Sequence, residues 1–203
     1  MVNIMVKSHW MLSDGAFEAV RVLSNPNSVI VEFGSGEGTE RLTRLGKIFS
    51  IEHDENWILG YPNVEYIHAP LVAIEPLPGF DHKEWYDSKV LENNIPSECD
   101  IVIVDGPMGS IGRSGLLRHL SLFPKEVIWI IDDTNREDEA CLANHISLAL
   151  KLHHQKYWNF SILSLEPINP RLAKIILGAS WREIRLELDD YIRKYYPAWG
   201  VKQ

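Results

Sequence analysis

The segment VIVEFGSGEGTERL, residues 29–42, constrains the fold more than any other part of the chain. The segment begins with an apolar run that ends at Phe33 and contains one acid, Glu32. Three glycines follow at the alternate positions 34, 36 and 38. Such a run is typical of a strand covered on both faces of a sheet. Glycines allow the backbone to approach a ligand where a Cβ atom would collide. The segment therefore predicts a buried strand, a glycine turn and a helix near residues 38–45.

Other apolar runs recur along the chain and alternate with segments of helical character. The predicted helices cover residues 13–25, 54–59, 88–93, 136–154 and 181–196, and a further helix follows the glycine-rich loop GPMGSIGRSG and runs through His119. Residues 70–96 predict a loop-rich connection. Strands that alternate with helices indicate a parallel sheet with right-handed crossovers. The last two runs are separated only by a proline-containing turn, so we expect them to pair antiparallel. The further predicted strands are KIFSIE, NVEYIHA, CDIVIVD, EVIWIID, FSILSLE and LAKIILG.

Composition limits the classes of partner. The 203 residues suit one domain, and the net charge of −8 without a cluster of basic residues argues against nucleic acid. The two cysteines predict a reducing compartment. No segment approaches about 18 apolar residues, and Lys7 and His9 interrupt the apolar start. We therefore expect a cytoplasmic protein that contacts no membrane.

The spacing of the glycine turn separates two classes of ligand. A dinucleotide-binding turn, G-x-G-x-x-G, would require a third glycine where this chain has Thr39. The observed pattern is E-x-G-x-G-x-G and begins at Glu32. A carboxylate beside the turn repels a pyrophosphate but accepts hydrogen bonds from an ammonium group. The turn therefore favours an amino-acid-like ligand.

Three motifs in order, EFGSGEG, SIEHDENW and DIVIVDGP, resemble those of the class I S-adenosylmethionine-dependent methyltransferases. The resemblance covers about residues 13–178. It implies an α/β fold: a Rossmann-like, seven-stranded, mostly parallel sheet with an antiparallel last strand and helices on both faces. It also implies one domain, with an N-terminal helical lid (1–27), a core (28–178) and a C-terminal helical extension (179–203).

The resemblance also implies the residues that bind the cofactor, S-adenosylmethionine. Glu52, at the end of the second strand, would accept hydrogen bonds from both ribose hydroxyls. His53 or Asp54 would lie beside the adenine, and Asp105 would face the sulfonium and the substrate. The complete set is Glu32, Gly34, Ser35, Gly36, Gly38, Thr39, Glu52, His53, His68, Ala69, Asp105 and Gly106.

Asp105 and the pair Asp132–Asp133 follow neighbouring predicted strands, and close carboxylates require a cation or a proton between them. This pattern resembles the metal-dependent O-methyltransferases of the catechol and macrocin types. The resemblance implies a divalent ion, Mg²⁺, bound by Asp105, Asp132 and Asp133, which would lower the pKa of a substrate hydroxyl. The alternative is that Asp105 contacts the cofactor while Asp132 or Asp133 caps the next helix.

Catechol-type enzymes have a lysine base where this chain has Met108, so another residue must act as the base. The candidates are His119, His9 and the aspartates, and the predicted catalytic residues are Asp105, His119 and Asp132. Arg113 could contact the substrate or form a surface salt bridge.

The expected activity is methyl transfer from S-adenosylmethionine to a hydroxyl of a small molecule, such as a sugar or a natural-product intermediate. The alternatives are a metal-independent N-methyltransferase and a non-catalytic subunit that binds the cofactor. The C-terminal segment places Ile184, Leu188, Tyr191 and Tyr195 on one helical face, which suits a homodimer surface.

Overall fold

The computed structural model describes residues 11–195, with the side chains of all of these except 191–193 and 195. Nine strands and five α-helices are present in this part of the chain. The helices are α1 (Asp14–Leu23), α2 (Thr39–Leu42), α3 (Ser88–Asn94), α4 (Glu137–Leu150) and α5 (Pro170–Tyr195). The strands are β1 (Val29–Phe33), β2 (Lys47–Glu52), β3 (Val64–His68), β4 (Leu71–Ala73), β5 (Glu84–Tyr86), β6 (Ile101–Val104), β7 (Ile128–Asp132), β8 (His153–Lys156) and β9 (Phe160–Ser164).

Seven of these strands form one sheet in the order β3-β2-β1-β6-β7-β9-β8. The pairs among β1, β2, β3, β6 and β7 are parallel, and β9 runs antiparallel to both of its neighbours. This confirms the predicted Rossmann-like sheet with an antiparallel last strand. The chain reverses its direction of strand addition between β1 and β6, and open sheets of this kind bind ligands at that switch point.

The alternating side chains of the central strands pack against helices on both faces of the sheet. On one face, Ile30 and Ile103 belong to a buried cluster that includes Ala16 of α1 and Ile176 of α5. On the other face, Val31 belongs to a cluster that includes residues of α3 and α4. Both faces of β1, β6 and β7 are therefore covered, which explains why these strands are apolar except for Glu32 and Asp132 near their ends.

The two final strands differ from the prediction. LAKIILG is helical and lies within α5, where Ile176 and Ala179 are buried. The antiparallel pair consists instead of β8 and β9. The predicted helix 136–154 ends at Leu150, because Lys151 adopts a left-handed conformation with φ of 56°. β8, with the sequence HHQK, is a polar edge strand that gives no apolar signal.

Residues 70–96 contain more regular secondary structure than the sequence predicts. β4 and β5 pair antiparallel as a separate two-stranded sheet, which brings Trp85 and Tyr86 into the core. The helix of the glycine turn, α2, has only four residues and is shorter than predicted.

The predicted division of the chain at residue 179 falls within the single helix α5. Within residues 11–195, none of the helices combines the length and the apolar character needed to cross a bilayer.

Candidate functional site

A cleft of about 720 Å³ opens at the carboxyl ends of β1, β2, β6 and β7. This volume is within the range of roughly 300–1,000 Å³ that is typical of small-molecule sites. Twelve of the predicted site residues line it: Glu32, Gly34, Ser35, Gly36, Gly38, Thr39, Glu52, His53, Asp105, Gly106, Asp132 and Asp133.

The floor of the cleft depends on a backbone contact between two glycines. Gly34 follows β1, has a φ of 92°, and a Cβ atom there would lie 2.6 Å from the backbone nitrogen of Gly106. Gly106 follows β6, and its own Cβ would lie 2.4 Å from the Cα of Gly34. Only glycine fits at either position, so the first motif and the fourth-strand motif pack directly against each other.

Glu32 is buried at the base of the glycine turn. Its Oε2 atom accepts hydrogen bonds from the hydroxyls of Thr39 (2.8 Å) and Ser50 (2.5 Å). Burial raises the pKa of Glu32 to about 8, and the nearby charges of Asp105 and Glu52 act in the same direction. Burial therefore favours the protonated form of Glu32.

Glu52 ends β2 and is also buried, but its hydrogen bonds come from the backbone. Oε2 accepts from the N–H of Ser35 at 3.0 Å, and Oε1 accepts from the N–H groups of His53 (2.7 Å) and Asp54 (2.8 Å). These bonds fix the carboxylate at the wall of the cleft between the glycine turn and the turn after β2.

The start of α1 covers one side of the cleft. Met11 and Leu12 line it, and their backbone packs against Gly38. The next residue, Ser13, caps α1 and donates to Asp132 at the end of β7, from its N–H (3.0 Å) and from its hydroxyl (2.8 Å). The carboxyl group of Asp132 therefore holds Ser13, and with it the start of α1, against the end of β7.

Arg113 is the residue of the site that the sequence analysis left undecided. Its side chain is only 3% exposed, and its guanidinium lies between two of the predicted acids. It donates to Asp133 at 2.9 Å and lies 3.4 Å from Oδ1 of Asp105. In the sequence, the glycines at 112 and 115 could have indicated that Arg113 is buried, since they allow its loop to approach neighbouring residues closely.

The electrostatics of this region follow from burial and from these contacts. Burial lowers the pKa of Arg113, but four nearby acids together raise it by more, so its pKa is raised overall; these acids are Asp105, Asp133, Glu139 and Asp132. Burial raises the pKa of Asp105, and Arg113 partly offsets that rise. Burial also raises the pKa of Asp132 to about 8, with Asp105 as the next cause.

The predicted metal cluster is not formed by these residues. Asp132 accepts a hydrogen bond from Ser13. Asp133 accepts one from Arg113 and lies 3.0 Å from Arg136. Among the described side chains, no group of three or more His, Cys, Asp or Glu residues is arranged to hold a metal ion. The reason is that two cations, Arg113 and Arg136, already pair with Asp105 and Asp133. The residues present do not fit Mg²⁺.

Three further predicted residues do not line the cleft. His119 is buried against α3, where its Nε2 lies 3.3 Å from the hydroxyl of Ser88, so its predicted catalytic role is not supported by its position. His68 contacts the carbonyl of His53 at 3.0 Å, outside the cleft wall. Ala69 is buried and donates its N–H to the carbonyl of Glu52. His9, the other candidate base, lies outside the described residues.

Comparisons with known proteins give similarity at the level of structure. No family model matches the chain, and no curated protein matches it. The MycE methyltransferase of the mycinamycin biosynthetic pathway, in complex with Mg, SAH and mycinamycin VI, has a TM-score of 0.48 and 15% identity, over 72% of this chain and 43% of that one. This chain therefore spans less than half the length of MycE.

Two shorter proteins have similar values. SMU.1697c from Streptococcus mutans, in complex with SAH, has a TM-score of 0.48 and 11% identity over 74% of this chain and 96% of its own. A methyltransferase-like protein from Silicibacter pomeroyi has a TM-score of 0.48 and 19% identity over 82% of this chain and 93% of its own. The function proposed below rests on the geometry of the cleft itself.

Proposed function

We propose that this protein is an S-adenosylmethionine-dependent methyltransferase that methylates a hydroxyl of a small molecule. The observation that carries the proposal is the meeting of Glu32, Glu52 and Asp105 with the glycine turn in one cleft at the switch point of the sheet. These are the strand ends at which the three sequence motifs lie. A ligand that fills this cleft would lie beside all three acids.

The chemistry of the cleft suits a cationic nucleoside. Nine carboxyl groups line it, and its two arginines, Arg113 and Arg136, are both paired with acids. A pyrophosphate would meet no free cation among these residues, whereas a sulfonium and an ammonium group would meet carboxylates. The carboxyl groups of the cleft therefore favour S-adenosylmethionine over a dinucleotide.

Each acid has a role set by its position. Glu52, fixed by three backbone N–H groups, would use its remaining acceptor capacity for the ribose diol. Glu32, at the glycine turn, would release its proton and accept a hydrogen bond from the ammonium group. When bound, S-adenosylmethionine supplies an electrophilic methyl group, and its sulfur leaves as a neutral thioether.

Asp105 is the group best suited to accept the acceptor's proton. It follows β6, and its side chain is 26% exposed, so substrate can reach it. Burial raises its pKa, which makes it a stronger base than an ordinary carboxylate. As the acceptor oxygen bonds to the methyl carbon, the hydroxyl proton would move to Asp105. Arg113 keeps this carboxylate oriented.

The negative charge of the outer cleft favours a small methyl acceptor that is uncharged or cationic. The acids Glu137 and Asp138 are exposed there, at the start of α4. They would repel a phosphate backbone, which is why we propose that the acceptor is not a nucleic acid.

Calorimetric titration with S-adenosylhomocysteine tests the cofactor assignment. We expect binding to the wild type and a loss of at least tenfold in affinity in Glu52→Ala. The matched control is Glu55→Ala, because that side chain is 81% exposed and does not line the cleft. No binding to the wild type, or equal affinity in Glu52→Ala, would contradict the proposal.

An amine acceptor is the second candidate. The acidic outer cleft attracts an ammonium group, and Asp105 could remove its proton before transfer. Panels of small alcohols and amines, with the methylated product detected by mass spectrometry, separate the two. Methylation of amines alone would replace the hydroxyl acceptor.

A further inference from the structure

Arg113 joins the ends of two neighbouring strands through backbone carbonyls. Its Nη1 donates to the carbonyls of Val104 (3.3 Å) and Asp132 (3.1 Å), and its Nε donates to that of Pro107 (3.2 Å). Its Nη2 also donates to the carbonyl of Asp105. Four carbonyl oxygens from β6, β7 and the loop after β6 therefore surround one cation.

Two carboxylates add to this oxygen set, and a third, Glu139, lies 4.0 Å from Nε. Asp133 accepts from Nη2 at 2.9 Å, and Oδ1 of Asp105 lies 3.4 Å from the same nitrogen. Carbonyl and carboxylate oxygens are the ligands that hard divalent cations prefer. The guanidinium thus occupies a pocket whose chemistry would otherwise suit a metal ion.

The loop that carries Arg113 is supported by His82. Gly112 has a φ of 90°, and a Cβ atom there would lie 1.9 Å from the His82 ring. On the other side of Arg113, the hydroxyl of Ser114 lies 2.8 Å from Nδ1 of His82. Nε2 of His82 contacts Asp138 at 3.2 Å. Both neighbours of Arg113 are therefore held against one buried ring.

We propose that Arg113 is a built-in cation that takes the place of a divalent metal beside Asp105, and that it positions Asp105 without any metal ion. The role of Asp105 as the reacting group rests on the proposed function. The exclusion of a metal ion by Arg113 depends only on the contacts described above. Removing the guanidinium should leave these six oxygens with only Arg136, which contacts Asp133 from the outer side of the cleft, as a neighbouring cation, and so should create a metal site.

Binding of Mn²⁺, followed by electron paramagnetic resonance, tests the proposal without any nucleotide present. We expect no specific binding to the wild type and binding of one Mn²⁺ by Arg113→Ala. Asp133→Asn in the Arg113→Ala background should weaken that binding at least tenfold. Arg136→Ala is the control, because it removes another cation bonded to Asp133 but leaves Arg113 in place. It should bind no Mn²⁺.

Competition and a conservative variant separate this role from simple support of the fold. Methylguanidinium should displace Mn²⁺ from Arg113→Ala, and Arg113→Lys should keep Mn²⁺ out. Specific Mn²⁺ binding to the wild type, abolished by Asp133→Asn, would overturn the proposal. Absence of binding in folded Arg113→Ala would overturn it equally.

If Arg113→Ala does not fold, the wild-type titration and Arg113→Lys decide the question. Exclusion of Mn²⁺ by both supports the proposal, and binding by the wild type overturns it. Loss of S-adenosylhomocysteine binding in the separate calorimetric experiment would remove the proposed function without touching this result.

Discussion

The backbone N–H and the hydroxyl of Ser13 both donate to the carboxyl group of Asp132, although 119 residues separate the two in the sequence. One group therefore ends β7 and holds the start of α1 against the cleft. Asp132 is 3% exposed, and its pKa is raised to about 8, first by burial and then by Asp105. This arrangement makes Asp132 a structural residue rather than a metal ligand.

Replacement of Asp132 tests that role. Asp132→Ala leaves the Ser13 donors unpaired and should lower the free energy of unfolding by about 1–3 kcal/mol. Asp132→Asn keeps an acceptor oxygen and should cost less than about 1 kcal/mol at pH 7. Urea unfolding measures both, and Ser13→Ala should also lower the free energy of unfolding, because it removes the hydroxyl that donates to Asp132. Equal large losses in the alanine and asparagine variants would contradict the assignment.

Stability should depend on pH because two buried acids have raised pKa values. Glu32 and Asp132 both have a pKa of about 8 in the folded protein, against 4.5 and 3.8 as ordinary values. Their contribution is fully present below the ordinary values and is lost as the pH rises through 8. The free energy of unfolding should therefore fall between pH 5 and pH 8.

Urea unfolding at a series of pH values checks this slope. Each group contributes at most about 1.4 kcal/mol per pH unit. Glu32→Gln should flatten the dependence, whereas the exposed Glu137→Gln should leave it unchanged. A slope of the opposite sign in the wild type would show that neither acid holds its proton.

Binding of the cofactor product should release a proton from Glu32. The ammonium group of S-adenosylhomocysteine would stabilise the ionised carboxylate, so the pKa of Glu32 should fall on binding. Calorimetry at pH 7 in buffers of different ionisation enthalpy should give release of about one proton per site. Glu32→Gln should release none; unchanged release in that variant would assign the proton to another group.

The contact between Gly34 and Gly106 should tolerate no side chain. Gly34→Ala adds a left-handed backbone strain of about 1–2 kcal/mol and an overpacking cost of about 1–3 kcal/mol. Gly79→Ala is a matched control, because Gly79 has a φ of 88° but no atom lies within 4 Å of its added Cβ. Thermal unfolding should show a clearly larger loss for Gly34→Ala. Equal losses would mean that the β1–β6 contact is not tight.

The closing elements of the fold show where prediction from sequence failed. LAKIILG was predicted as a strand because a short apolar run fits a buried strand and a buried helix equally well. Pro170 and the preceding Asn169, which accepts from the N–H of Arg171, were the missed signals of a helix start. β8 could not be predicted, since its polar residues pair only with the backbone of β9 at the sheet edge.

The sequence by itself determined the central strands and the glycine turn, because continuous apolar runs and a Gly-x-Gly pattern are local signals. It also placed Glu32, Glu52 and Asp105 at strand ends, from which a shared cleft follows by parallel pairing. Only the tertiary structure decided that Ser13 bonds to Asp132 and that Arg113 lies between Asp105 and Asp133. Those pairings depend on how a loop and a helix pack against the finished sheet, and no local pattern of residues encodes that packing.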